Sequence, residues 1–479
     1  MNPLLFTDPA FLFFFAPIVL SWYWLIPAAW RNTFLTIASL VLYAWGEGSY
    51  AAVLLASIAI NFVGGIAISR AVGPRARWYA VAAGVVLNLL LLTVFKYADF
   101  FLANFDAIIA RFGIEAIQPP HLRLPIGVSF FTFMGISYLV DLYRRDLEAP
   151  SGVGRVALFQ SMFPHLIAGP IVRMTELAGQ FGLRNSDSAR IAAGIRRFVI
   201  GLGKKMLIAN TLATASDAIF QLPAQQVPAS YAWLAVVCYT IQIYYDFSGY
   251  SDMAIGLAGM LGFTFPENFN YPYISQSISE FWRRWHITLS RWLRDYLFFP
   301  LGVRGGRAKL LRNQLIVFFL CGLWHGADWH FVAWGLWHGG LVGMEHLGFN
   351  KILRIVPAPV RIAYTMFAVS LGWILFRSLT LHHAFYFAES LLGYGGPLPP
   401  DWLPLQFIGP ATYAAILAGI VGATPVWPAV ARFRANQRIA PRWTQLMGIA
   451  EFAALAVVFA SALATAAGDT YHPFIYFRF

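Results

Sequence analysis

Residues 48–69 read GSYAAVLLASIAINFVGGIAIS and contain no charged side chain. A transmembrane helix needs about 20 predominantly apolar residues, so this stretch is long enough to cross a bilayer. The rest of the chain has the same character. Of its 479 residues, 59% are hydrophobic, 17% are aromatic and only 12% are charged, about half the charged fraction of a typical globular protein. The composition excludes disorder and predicts a polytopic membrane protein.

Uncharged stretches recur along the whole chain. Besides 48–69 they cover 9–30, 32–46, 78–95, 124–140, 156–172, 218–245, 313–327, 329–344, 362–376, 402–431 and 452–468, and 198–216 is interrupted only by two lysines. No segment shows the alternation of about ten residues that is typical of an outer-membrane barrel. We therefore predict an all-α protein with about 11 transmembrane helices plus re-entrant and interfacial helices.

Basic clusters orient these spans, because cytoplasmic loops are enriched in Lys and Arg. Placing the clusters in the cytoplasm predicts that 141–155, 266–312 and 432–442 face the cytoplasm and that both termini face the periplasm. The stretch 156–172 has basic residues on both sides and contains Pro164, so we predict that it is a re-entrant segment.

The net charge of +12 fits the same picture. Basic loops that meet membrane lipids account for it, and nucleic acid is not expected as a partner. Cys238 and Cys321 both lie in apolar runs, so neither a disulfide framework nor a cysteine metal site is predicted. Familiar soluble catalytic motifs are missing from the sequence.

The strongest candidate for chemistry is CGLWHGADWHFVAWGLWHGG, residues 321–340. Polar groups are costly in a membrane and are functional candidates by default. His325 could exchange a proton near neutral pH, the small Gly326 could leave space for substrate, and Trp324 and Trp329 could exclude water. Asp328 could orient His325 or only mark a loop. The alternatives are a packing histidine and, more weakly, a metal ligand; we predict no metal.

A second candidate is SEFWRRWHITLSRWLRDYLFFPLG, residues 279–302. On one continuous helix, His286 would share a face with Trp282, Arg283 and Ser290. Arg283 and Arg284 could bind phosphates of a cytosolic donor. The alternative is a membrane-surface helix whose arginines meet anionic lipids.

A third candidate is IYYDFSGYSDMAIG, residues 243–256. Asp246 and Asp252 follow a long apolar run and need cationic or hydrogen-bonding partners. They could pair with arginines of the neighbouring basic interval, and a supporting structural role is favoured over catalysis.

Together these segments resemble bacterial members of the membrane-bound O-acyltransferase (MBOAT) family, especially the alginate O-acetyltransferase type. The segments that carry the resemblance are LPIGVSFFTF (124–133), FPHLIAGPIVR (163–173), YYDFSGYSDMAIG (244–256), FWRRWHITLSRWLRDYLFFPLG (281–302), LWHGADWHFVAWGLWHG (323–339), GWILFR (372–377) and FIYFRF (474–479). The resemblance implies one MBOAT transmembrane domain over 1–479, with the motifs in a core of approximately 124–348. It also implies that His325 is the catalytic histidine and His286 the second functional histidine.

The resemblance implies an acyltransferase of the bacterial inner membrane that binds no permanent cofactor and uses acetyl-CoA as its acyl donor. The acceptor hydroxyl would belong to a periplasmic or membrane-anchored partner protein of the machinery that acetylates an extracellular polysaccharide such as alginate. His325 would be the general base. The alternatives are a D-alanyl transferase of the teichoic-acid type that uses an acyl-carrier protein, and a lipid or solute transporter.

Overall fold

The computed structural model describes residues 5–115, 117, 121–148, 152–182, 184, 187–302, 304–402, 404–435, 441–468 and 474. Within these residues every regular element is a helix and no strand occurs, so the all-α prediction is confirmed. Both chain ends, most of the closing motif 474–479 and parts of the loops 141–155 and 432–442 lie outside the described residues.

The α-helices follow one another along the chain, with short 3₁₀ and π turns between some of them. Their bounds are α1 Ala16–Leu25, α2 Arg31–Glu47, α3 Ala51–Arg70, α4 Pro74–Leu92, α5 Ala98–Ile109, α6 Val128–Arg144, α7 Val153–Ser161, α8 Phe163–Leu166, α9 Met174–Leu177, α10 Ser188–Gly203, α11 Asn210–Phe220, α12 Ala229–Met260, α13 Ile278–Arg284, α14 Ile287–Leu293, α15 Gly306–His325, α16 Trp329–Met344, α17 Asn350–Ile355, α18 Ala358–Arg377, α19 Leu381–Leu391, α20 Pro410–Gly422, α21 Val426–Ala435 and α22 Pro441–Gly468.

The residues group into two compact units that interleave along the chain. The first comprises Met1–Ile195 and Ala254–Pro266, and the second comprises Arg196–Met253 and Glu267–Phe479. A single domain over 1–479 stays a prediction.

Four helical stretches of the described residues are long and apolar enough to cross a membrane by length and composition: Ala28–Arg70, Pro74–Phe112, Ala358–Arg377 and Gln445–Gly468. A bent pair, Pro410–Gly422 with Val426–Arg432, would make a fifth. The count of about 11 is not confirmed. One reason is that several uncharged stretches are divided between shorter helices: 218–245, for example, contains the end of α11, a loop and the start of α12.

In the first unit, α3, α4 and α6 approach one another closely at small residues. A side chain added at Gly84 would meet the Leu139 side chain at 2.6 Å, and one added at Gly65 would meet the Tyr138 hydroxyl at 2.6 Å. Next to these positions Asn61 and Asn88 are buried and exchange hydrogen bonds of 2.9 and 3.2 Å between α3 and α4. Small residues and interhelical amides are what hold helices together in lipid.

The predicted interruption of 156–172 is confirmed. Helix α7 ends at Ser161, and α8 contains only four residues, with Pro164 in its first turn. Neither helix is long enough to cross a bilayer. The re-entrant course itself stays a prediction.

The second unit contains the histidine motifs. Its long helices include most of α12, then α15, α16, α18 and α22. Close approach again needs glycine: a side chain at Gly201 of α10 would meet the backbone carbonyl of Gly249 on α12 at 2.5 Å.

Candidate active site

His325 is the last residue of α15. Gly326 ends the helix with an extended backbone, and α16 begins three residues later at Trp329. Asp328 caps α16 by accepting a hydrogen bond from the His330 backbone N–H at 3.2 Å. Of the two alternatives for Asp328, the structure therefore supports the loop and helix cap. His330 belongs to α16, where its Nδ1 lies 3.0 Å from the Leu375 carbonyl oxygen.

Glycines let α15 and α16 pack backbone to backbone. A side chain at Gly322 would collide with the Phe331 carbonyl, and one at Gly335 would collide with the Phe318 carbonyl. Gly326 has a related role, because the Phe331 ring fills the space that a side chain there would need. The expectation that Gly326 leaves room for substrate is therefore wrong: the missing side chain is replaced by an aromatic ring of α16.

Aromatic rings surround the His325 imidazole, which is 4% exposed. Trp324 and Trp334 each place a ring centroid 4.8 Å from it, and Phe376 of α18 lies at 5.2 Å. Trp329, predicted to exclude water, is 53% exposed. The second buried indole against His325 is thus Trp334, which sequence reasoning missed. Inside this cage the dielectric is low, so a proton transfer at the imidazole is strongly influenced by its fixed neighbours.

His286 does not lie on a continuous helix. Helix α13 ends at Arg284, Trp285 is extended, and His286 adopts the left-handed conformation (φ 42°, ψ 54°) before α14 begins at Ile287. The predicted shared face of His286 with Trp282, Arg283 and Ser290 is therefore wrong. Helical spacing does not apply across a residue with left-handed backbone angles, because the helix axis changes direction there.

The surroundings of His286 are polar on one side and aromatic on the other. Its Nδ1 lies 3.1 Å from Oδ1 of Asn268, and its ring lies 4.6 Å from that of Phe247 and 6.1 Å from that of Trp324. The side chain is fully buried, and burial lowers the pKa of His286 below its usual range, so the imidazole is neutral at pH 7. Trp324 therefore contacts both histidines, and the two motifs meet at its indole.

The two predicted donor-binding arginines have different surroundings. Arg284 binds Glu280 at 2.9 Å and donates to the Asn270 carbonyl at 3.1 Å. Arg283 instead lines a cavity of about 510 Å³. Cys321, one turn before His325 on α15, and Phe318 contribute to its apolar wall. Its charged and polar lining includes Ser279, Trp282, Arg283, Ser290, Arg291 and Arg294.

Three residues of the lining carry buried polar atoms without a hydrogen-bond partner among the described residues. The hydroxyls of Ser279 and Ser290 and the indole N–H of Trp282 are buried and make no hydrogen bond there. Arg294 is bound to Asp295 at 2.7 Å. A cavity with basic side chains, apolar walls and unused hydrogen-bonding groups suits a ligand that is anionic at one end and contains amides.

The aspartates pair with bases other than those predicted. Asp246 is buried and forms an ion pair with Lys205, whereas Asp252 binds Arg197 at 2.9 Å and Lys204 at 2.7 Å. The predicted arginines of the basic interval 281–312 are not these partners. The signal was present in the sequence, because Lys204 and Lys205 interrupt an otherwise uncharged stretch and buried charges need partners.

Asn268 is the other functional candidate that sequence reasoning missed, because a single asparagine in a loop gives no periodic or charge signal. Among the described residues, no group of three or more His, Cys, Asp or Glu side chains could hold a metal ion.

Comparisons with known proteins identify the family of the chain. Residues 150–383 match the family described as MBOAT, membrane-bound O-acyltransferase family. The chain is 39% identical to the probable alginate O-acetylase AlgI of Pseudomonas aeruginosa, covering 99% of this chain and 100% of the relative. It is 36% identical to the peptidoglycan O-acetyltransferase of Helicobacter pylori, covering 82% and 80%. It is 28% identical to the teichoic acid D-alanyltransferase of Bacillus subtilis, covering 56% and 72%.

The first two similarities extend well beyond the motifs. Full-length identity of 39% cannot arise from apolar composition alone, and it covers both compact units. This chain is a membrane-embedded acyltransferase that belongs to the membrane-bound O-acyltransferase family.

Proposed function

We propose that this enzyme transfers an acetyl group from cytosolic acetyl-CoA to a hydroxyl acceptor, with His325 as the general base. The observation that carries the proposal is the position of the buried His325 imidazole. It lies one helical turn after Cys321, and Cys321 is part of the wall of a cavity lined by arginines. On this proposal, the acyl end of a donor bound in the arginine-lined cavity reaches past the wall residue Cys321 to the imidazole at the end of α15.

The cavity suits the proposed donor. CoA has phosphate groups at one end, two amides in its pantetheine arm and a thioester at the other end. Arg283 and Arg291 would receive phosphate. The unpartnered Ser279, Trp282 and Ser290 could bond the amides, and the apolar wall near Cys321 would cover the acyl end.

The transfer needs only proton movement and one exchange of bonds. His325 removes the proton of the acceptor hydroxyl as its oxygen attacks the thioester carbonyl. A new C–O bond forms, the C–S bond breaks, and the protonated imidazole returns its proton to the leaving thiolate. His286 would assist this transfer from the other side of Trp324, whose indole contacts both imidazole rings. No permanently bound cofactor or metal is needed.

The acceptor side is proposed from the relatives. Two of them are named as O-acetyl-transferring enzymes of alginate and of peptidoglycan. We infer that this enzyme serves O-acetylation of an extracellular polysaccharide such as alginate, through a periplasmic or membrane-anchored acceptor protein of the modification machinery. It would lie among the lipids of the bacterial inner membrane, with both termini in the periplasm and the arginine-lined cavity accessible from the cytoplasm.

Purified full-length enzyme in detergent tests the donor. It is given radiolabelled acetyl-CoA or a D-alanyl-loaded carrier protein, each with an extracellular polysaccharide and the membrane fraction of the producing bacterium as acceptor source. We expect acetyl transfer from acetyl-CoA that depends on the acceptor and is absent with His325→Gln.

The alternative donor gives a distinct outcome. Transfer of D-alanine from the carrier protein, with none from acetyl-CoA, would contradict the proposal and favour the teichoic-acid type of reaction. Transport of a labelled lipid or solute without any acyl transfer would contradict both. The acyltransferase family of the chain is an argument against that last result.

A further inference from the structure

Asn268 binds the segment that contains His286 at several points. It lies in the loop after α12 and is fully buried. Its backbone carbonyl accepts a hydrogen bond from the Ile287 N–H at 2.9 Å. Its side-chain oxygen Oδ1 accepts from the Thr288 hydroxyl at 2.9 Å and from the Thr288 N–H at 3.3 Å, and lies 3.1 Å from Nδ1 of His286.

These bonds also support the backbone of His286. A left-handed conformation is unfavourable for a non-glycine residue and persists only where neighbouring structure holds it. Asn268 holds the two residues that follow, Ile287 and Thr288, through their backbone N–H groups. The unusual backbone of His286 is therefore stabilised by the same residue that contacts its ring.

The orientation of the Asn268 amide follows from its partners. The Thr288 backbone N–H can only donate, so the amide atom that it faces must be the oxygen. The amide nitrogen then donates to the Ser251 hydroxyl at 3.1 Å. Turning the amide over would place two donors against each other at Thr288.

The tautomer of His286 follows in turn. A carbonyl oxygen can only accept, so Nδ1 of a neutral His286 must bear the hydrogen and donate it to Asn268. The lone pair then lies on Nε2. Burial lowers the pKa of His286, which keeps the ring neutral and the choice between tautomers meaningful at pH 7.

We propose that Asn268 is a positioning residue that holds His286 in the tautomer with hydrogen on Nδ1, so that Nε2 acts in the acyl transfer as a hydrogen-bond acceptor or base. A neutral His286 in this state cannot donate from Nε2 to a developing oxyanion. The part of this inference that concerns catalysis rests on the proposed function, whereas the tautomer does not.

Nitrogen-15 NMR on histidine-labelled full-length protein in liposomes tests the tautomer directly. The His286 signals are identified by their loss in His286→Gln. We expect a protonated Nδ1 and an unprotonated Nε2 in the wild type and in Asn268→Asp, whose carboxylate oxygen keeps the acceptor. Asn268→Leu should give a mixture of tautomers. A wild-type His286 with hydrogen on Nε2 overturns the proposal.

Kinetics with acetyl-CoA test the consequence. Asn268→Leu should reduce kcat roughly tenfold with little change in KM, because it disturbs the reacting ring and not the donor cavity. Asn268→Asp should recover most of kcat. Ser251→Ala is the matched control, since it removes the bond on the other side of the amide and should leave kcat within about twofold.

The outcomes separate the two proposals. If Asn268→Leu keeps the wild-type tautomer and kcat, Asn268 is not a positioning residue, whatever the reaction. If the tautomer changes as expected while the wild type transfers no acetyl group from acetyl-CoA, the proposed function fails and the assignment of the tautomer stands. Should Asn268→Leu fail to fold, the wild-type spectrum and the Asn268→Asp variant still decide.

Discussion

The two histidine regions of the second unit position their side chains in opposite ways. His325 ends a regular helix of 20 residues and is surrounded by aromatic rings. His286 has a left-handed backbone between two helices of seven residues each, and its ring is hydrogen-bonded to Asn268. The first region restricts an imidazole by packing, the second by hydrogen bonds. This difference supports the two proposals, that His325 exchanges a proton and that His286 presents one fixed nitrogen.

The regions meet at Trp324, which precedes His325 and contacts both rings. Trp324 is buried, and it brings the two motifs next to each other although 39 positions separate their histidines in the sequence. Each of the following experiments tests whether the His325 region depends on packing and the His286 region on hydrogen bonds.

The largest expected effect concerns the proposed base. His325→Gln should leave a folded protein with acetyl transfer reduced about 10²–10⁴-fold, because loss of a general base has effects of that size. Turnover with acetyl-CoA measures it. His382→Gln is the matched control, since His382 is exposed and packs on Tyr386. A His325→Gln enzyme with more than half the wild-type turnover would exclude His325 as the base.

The next largest effect concerns the aromatic cage. Trp334 is 1% exposed, so Trp334→Ala should destabilise the protein by about 3–5 kcal/mol through the cavity it leaves. Trp329 is 53% exposed, and Trp329→Ala should change stability by no more than about 0.5 kcal/mol. Thermal unfolding in detergent compares them. Equal losses of stability would show that Trp329 packs as tightly as Trp334.

A smaller effect tests the backbone of His286. His286→Gly and His286→Val both remove the imidazole, but valine should be less stable than glycine by about 1–2 kcal/mol, because only glycine adopts φ 42° freely. The melting temperatures of the two variants measure this difference. At His325, in a right-handed helix, the same pair should show no advantage for glycine. Equal melting temperatures at 286 would show that the left-handed conformation is absent.

The smallest effect separates the neighbouring arginines. Arg283→Gln should raise the KM for acetyl-CoA about three- to tenfold with kcat nearly unchanged, because a contact made equally with ground and transition states affects binding alone. Arg284→Gln is the control, as Arg284 is bound to Glu280 and Asn270. Donor titrations on equal amounts of folded protein decide. An unchanged KM in Arg283→Gln would remove that residue from the donor site.

The sequence by itself determined the features that depend on local composition and order. Long uncharged stretches predicted helices and membrane insertion, since backbone groups in lipid must be satisfied within the segment. The motifs around His325 and His286 predicted the family, which full-length similarity confirmed. Pro164 predicted the interrupted helix in 156–172, because proline disfavours a regular helix interior.

Only the tertiary structure decided which residues face one another. Asp246 with Lys205, Trp334 with His325 and Asn268 with His286 each join residues of different helices or loops. No local pattern encodes such pairs, because contact depends on how whole helices pack. The left-handed backbone at His286 is of the same kind: it is unfavourable for a non-glycine residue, and the next two residues hold it in place by donating their backbone N–H groups to Asn268.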